Sequence, residues 1–325
     1  MNPLKINLRT LFSVLLLTVT STLSHAQTVT WTGASGGEWN TAGNWDLGIP
    51  GVGTNAVINN GTTANYNLPM TAASFGNLTN YGVVNVNAAG FNSGNIFLLR
   101  PGGGDKLFVN SGGAVNVTGN LGFCSNGIVS VAAGGSLTVS GTIIVGSGST
   151  GGTGGANPSS FGLMTNAGGT ISAAATSLNP GNGSVSTSAL LVINGGTNNL
   201  GNVLIKRSNA GSSGYSTLGT EGIIINGGQV TMTNANVGGS AGNSFLTLFV
   251  GGGAVTNYGN VTINQGSSAR GSRLLQTGGL VVVPDPGLVN PNPTVSGSLN
   301  VYAVLGGTNL VGGIFFGNTN GSAGT

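Results

Sequence analysis

Apolar and polar residues alternate in short runs along most of the chain. Leu107-Phe108-Val109, Ala114-Val115-Asn116-Val117, Ile128-Val129-Ser130-Val131, Ser136-Leu137-Thr138-Val139 and Thr142-Ile143-Ile144-Val145 follow one another with only Gly, Ser, Asn and similar turn residues between them. A period of two predicts half-buried strands, and the glycines, serines and asparagines at their ends supply tight turns. No segment carries a useful helical period, and Glu, Lys and Arg are nearly absent. The chain therefore reads as all-β.

A second pattern lies above the first. Gly-Gly pairs at 112, 134, 168, 195, 227, 251, 278 and 306 recur in steps of 22 to 34 residues, each between two alternating segments. Leu190-Leu191-Val192-Ile193-Asn194-Gly195-Gly196 and Gly222-Ile223-Ile224-Ile225-Asn226-Gly227-Gly228 are close copies. Such a step holds three short strands and three turns, the content of one coil of a parallel β-helix. About ten coils from residue 71 to 325 would give a rod about 50 Å long. On this register Val115, Val117, Leu137, Val139, Leu191, Ile193, Ile223, Ile225, Val261 and Ile263 point inward, and Asn, Thr and Ser face water or form ladders at the turns. Gly146 to Ser160 and Pro284 to Pro293 read as excursions from the coils.

Residues 27–70 differ. All three tryptophans, Trp31, Trp39 and Trp45, lie there. A solenoid must cover its first coil, because an open end exposes core and unpaired backbone. The segment is read as that N-terminal cap; the alternative is an aromatic platform for sugar rings.

Trp31-Thr-Gly, then Trp39-Asn-Thr-Ala-Gly-Asn-Trp45 and Gly48-Ile49-Pro50, followed by the strand–Asn–Gly–Gly units, resembles secreted bacterial proteins with autotransporter-associated β-strand repeats. The units are also similar to those of proteins that end in a PEP-CTERM sorting tail. The resemblance implies a right-handed β-helix, export, and a surface or matrix role, and it implies no catalytic residues. Neither a C-terminal membrane barrel nor such a tail follows. The stretch from Ile314-Phe315-Phe316 matches the end of an ordinary coil, so the chain is read as a shortened form of a longer protein.

Residues 1–26 read as a secretory signal, with Lys5 and Arg9 before the apolar run Leu11 to Val19 and cleavage between Ala26 and Gln27. The apolar run is shorter than the roughly 20 residues a spanning helix needs, which disfavours an uncleaved anchor, and no later segment qualifies as a span. Removing the signal takes away the single histidine, His25, and leaves six basic and five acidic residues, a net charge of +1. Nucleic acid is excluded as a partner on that charge. Glycine is 63 of 325 residues, but the 39% hydrophobic content, rich in Val and Ile, favours folding over disorder.

Chemistry is sparse. Cys124 can close no internal disulfide and reads as a small buried hydrophobe. Glu38 and Asp46 are the only acids near each other in sequence; Asp105, Glu221 and Asp285 fall on separate coils. Lys206 and Arg207 with Glu221 are the one place where opposite charges would meet on neighbouring coils, and they read as a solvated pair. No catalytic, cofactor or metal site is assigned: Gly102-Gly103-Gly104-Asp105 offers one carboxylate where calcium needs six or more oxygens. The expectation is a non-catalytic, exported structural or adhesive protein at the cell surface, outer membrane or outside the cell. Its partners would be extracellular polysaccharide, matrix or other surface proteins. The alternative is a β-helix that binds or degrades a carbohydrate polymer. An uncovered last coil and low charge also predict end-to-end self-association.

Overall fold

The computed structural model describes residues 26–69, 74–99, 104–123, 126–146, 161–178, 188–205, 221–239, 246–265, 272–283, 294–296, 301–311 and 315–317. Among these residues there is no α-helix, only a single 3-10 turn at Ala42–Asn44. The strands form one curled sheet, and every strand pairing in it is parallel. The one antiparallel contact is the isolated bridge between Trp31 and Trp45.

Three ladders make up the sheet. The first starts where Gln27–Thr30 pairs with Thr54–Ile58, passes through Leu78–Asn80, Ile96–Leu98 and Leu121–Phe123, and ends with Phe315–Gly317 on Thr294–Ser296. A second runs from Gly37–Glu38 on Thr63–Tyr66 to Ser272–Gln276 on Val301–Val304. The third runs from Phe91–Ser93 on Ala114–Val117 to Leu280–Val283 on Thr308–Val311. The chain visits the ladders in turn and then repeats one rung higher. This is the connectivity of a β-helix or solenoid.

Register keeps like side chains in file. In the second ladder Ala64, Val84, Leu107, Val129, Met164, Leu191, Ile223, Leu248, Leu274 and Tyr302 stand one above another. All but Tyr302 are buried in one continuous core or, for Tyr302, packed against it. All ten residues expected to point inward are buried, so the period-two reading has the correct face on every strand tested.

Among the described residues parallel pairing begins at Gln27, ahead of residue 71. Thr54–Ile58 and Thr63–Tyr66, inside the segment read as a separate cap, pair with Leu78–Asn80 and Val83–Val86 beyond it. The reason is visible in Thr54-Asn-Ala-Val-Ile58, which alternates like every later strand. Of the expected excursions, residues 147–160 and 284–293 lie outside the described residues, as do the signal segment 1–25 and the tail from 318.

The Gly-Gly pairs sit between the second and third ladders, one above the next. Gly279 has φ +71, and a β-carbon there would lie 2.6 Å from the carbonyl oxygen of Gly253 in the rung before. Gly253, at φ +72, is in turn blocked by Gly228 at 2.5 Å. Two constraints therefore act together: the left-handed backbone and the closeness of the neighbouring turn. The expected outcome for Gly279→Ala is a loss of about 1–3 kcal/mol of stability in urea unfolding. Thr277→Ala, on an exposed side chain in the same turn, leaves the midpoint unchanged.

Candidate functional site

The three indoles come together inside the molecule. Trp31, Trp39 and Trp45 are 1%, 0% and 4% exposed. Trp45 meets Trp31 edge to face at 5.0 Å between centroids and Trp39 at 4.7 Å. Trp39 continues the cluster into later rungs through Phe75 at 5.4 Å and Phe91 at 5.0 Å, and Tyr66 joins Phe91 at 5.2 Å. The Trp45 indole N–H donates to the Trp39 carbonyl at 2.8 Å. No ring face is free to stack on a sugar, so the platform reading fails on burial. What fills the start of the stack is a run of aromatics, edge to face except for the tilted Trp39–Phe75 pair, each contact contributing about 0.5–1.5 kcal/mol beyond its buried area.

The two neighbouring acids have structural partners. Asp46 Oδ1 accepts the Thr30 amide at 2.7 Å, and the Asp46 amide donates to the Thr30 carbonyl at 3.0 Å. These bonds use the side of the first strand that faces away from Thr54–Ile58. Glu38 accepts the Asn67 amide at 3.1 Å and the Asn67 Nδ2 at 2.7 Å. From Asn67 a file of amides continues outward, with Asn87 Nδ2 donating to Asn67 Oδ1 and Asn110 Nδ2 to Asn87 Oδ1, both at 2.6 Å. Asp105 is buried, and its carbonyl accepts the Ile128 amide at 3.1 Å. Lys206, Arg207, Asp285 and Cys124 lie outside the described residues, and of Glu221 only its place in the strand Glu221–Ile225 is described.

A second corner repeat escaped the sequence reading. Gly76-Asn77-Leu78, Gly94-Asn95-Ile96, Gly119-Asn120-Leu121, Gly201-Asn202-Val203 and Gly259-Asn260-Val261 each open a strand of the first ladder. Asn55 Oδ1 accepts the Asn77 amide at 2.8 Å, Asn95 Oδ1 the Asn120 amide at 2.7 Å, and Asn120 Oδ1 the Thr142 amide at 2.8 Å. Each asparagine thus fastens the backbone of the next rung. The Gly-Asn-aliphatic triplet was there to be found, but Gly-Gly is the more conspicuous word.

The outer walls differ by ladder. Outward residues of the second ladder mix polar Asn65, Asn85, Ser130 and Thr165 with apolar Ile128, Leu163, Leu190, Val192, Ile224 and Phe249, the last four falling on successive rungs. Every charged residue in a described strand, namely Glu38, Lys106, Glu221 and Arg273, is on that ladder as well. The third ladder has none. Its outward positions from Ser136 to Thr256 are Ser, Thr, Asn and Gln, with Ala254 the exception. The sequence alternation gave the faces of single strands; it did not reveal which wall each strand joins.

Polar groups also enter the core near the later rungs. Asn309 Nδ2 donates to Gln276 Oε1 at 2.8 Å and to the Tyr302 hydroxyl at 2.7 Å. Burial raises the Tyr302 pKa above its ordinary 10.0, while the Asn309 bond works in the opposite direction.

No family model, curated protein or solved structure matches this chain.

Two outcomes are expected. Tryptophan emission of the folded chain is blue-shifted and resists iodide quenching, and both properties disappear in urea. Because the unfolded Tyr302 phenol ionises first, stability falls as pH rises above about 10. Urea midpoints between about pH 8 and pH 11 then drop less in Tyr302→Phe than in the parent chain.

Proposed function

We propose that the chain is a non-catalytic, exported structural or adhesive protein of the bacterial cell surface or matrix. Its body would be a right-handed parallel β-helix of about ten coils with the tryptophan-rich segment as its N-terminal cap. Membership of the autotransporter-associated β-strand repeat group, with its PEP-CTERM-type relatives, belongs to the same reading. The observation that carries it is the use made of the few charged groups. Glu38 ends an asparagine file and Asp46 binds the edge of the first strand, so the two acids nearest in sequence are engaged in holding the stack together.

The first described strand, Gln27–Thr30, follows directly on the inferred cleavage point, as the export reading requires. The cap reading is supported by the Asp46 bonds to Thr30 and by Thr32 and Gly33, whose amides donate to the Asn44 carbonyl at 2.9 and 3.0 Å. An end-to-end contact between copies would draw on Leu305 and Leu310, both exposed on the rungs of residues 301–311.

The test is expression in an exporting bacterium. The expected product begins at Gln27 by mass spectrometry, is reached by protease added to whole cells, and releases no reducing ends or unsaturated uronates from polysaccharides. Retention of residues 1–26 in the cytoplasm overturns the export reading; polymer cleavage lost in Lys206→Ala or Glu221→Ala overturns the non-catalytic one.

A further inference from the structure

We propose that the uncharged wall of the third ladder binds a neutral polysaccharide chain laid along the stack. The inference rests on the adhesive reading above and names its partner and its surface. Register aligns Thr197 with Gln229, and Asn199 with Thr231 and Thr256, in two files. Between them Asn198, Val230 and Val255 are buried, so the files project outward. Rungs repeat at about 4.8 Å and the files lie about 6.7 Å apart, two strand residues. At the edge of this wall Tyr258 is 58% exposed, the one aromatic ring so exposed among the described residues. Its amide donates to the Met232 carbonyl at 2.9 Å, which fixes it to the rung below.

The chemistry of the wall selects the ligand class. Hydroxyls and amides donate and accept at once, which suits a polyol. A polyanion would need cations, and the described strands of the third ladder hold none; the lysine and arginine of the described strands stand on the second. The Tyr258 ring supplies a flat apolar face for the C–H side of a pyranose, with its hydroxyl free to bond the ring substituents. The Thr231 hydroxyl also reaches the Asn198 carbonyl at 3.4 Å, a long bond that leaves its oxygen able to accept. Single contacts of this kind are weak, and repetition along the wall converts them into useful affinity. On the same rungs the second ladder turns Leu190, Val192, Ile224 and Phe249 outward, and these offer no such donors.

The test is affinity electrophoresis of the full chain through gels containing dextran, a neutral β-glucan, alginate or chitosan. Retardation is expected in at least one neutral gel, unchanged by high salt, and absent in the charged gels. Tyr258→Ala and Thr231→Asp are each expected to weaken it about fivefold to tenfold, the size of one aromatic or charge-disrupted contact. Val192→Thr, on the other wall, is expected to leave it unchanged, and circular dichroism checks that each variant folds. Retardation only by charged polymers, or by none, overturns the proposal. Neutral binding that folded Tyr258→Ala and Thr231→Asp both retain overturns the wall while leaving the adhesive reading standing.

Discussion

Everything in this molecule follows from stacking one rung of backbone directly on the next. Parallel strands at a spacing of about 4.8 Å saturate their hydrogen bonds only if each turn lies on the turn before it. At the corner between the second and third ladders that leaves no room for a β-carbon, and Gly196, Gly228, Gly253, Gly279 and Gly307 each face the carbonyl of the glycine one rung earlier. A glycine content that elsewhere would mark disorder is here the condition for close approach.

The asparagines answer the same constraint at the other corners. A turn bends the backbone so that some amides no longer meet the strand beside them, and a buried or half-buried amide without an acceptor is costly. Asn55, Asn95 and Asn120 supply that acceptor from one rung earlier. Where the amide enters the core instead, it serves the glycine turn itself: Asn166 Oδ1 accepts the amides of Gly168 and Gly169 at 3.0 and 2.8 Å, and Gln276 Nε2 donates to the Gly279 carbonyl at 3.2 Å. Side-chain amides thus take over the turn bonding that short loops leave undone.

Strand faces were legible because burial obeys a period of two, and Leu191, Ile193 and their counterparts needed nothing more than alternation. The pairing of Thr54-Asn-Ala-Val-Ile58 with later rungs is less legible, because the neighbouring tryptophans are the more conspicuous signal. Their burial was not legible either: Trp31 and Trp45 become neighbours through a fold-back that no local pattern announces. The division into a mixed, charge-bearing wall and a neutral, mostly polar wall lies deeper still, because it depends on which strand of each coil joins which ladder. Variable steps of 22 to 34 residues between glycine pairs hide that assignment in one dimension.

Scarcity of charge gives this architecture its particular character. A stack this regular offers the same backbone edge at every rung, and most proteins discourage unwanted edge pairing with lysines or inward charges. Here the described start of the stack is closed instead by hydrogen bonds that Asp46 exchanges with Thr30 and the Asn44 carbonyl accepts from Thr32 and Gly33, and by the aromatic cluster behind them. Charge is thereby released from the task of protection, and the third ladder can present hydroxyls and amides over most of its outward positions from Ser136 to Thr256. A surface of that kind has little long-range steering and no single strong contact. Its specificity must come from the match between a repeating wall and a repeating ligand, which is why a point mutation in one rung weakens binding without abolishing it.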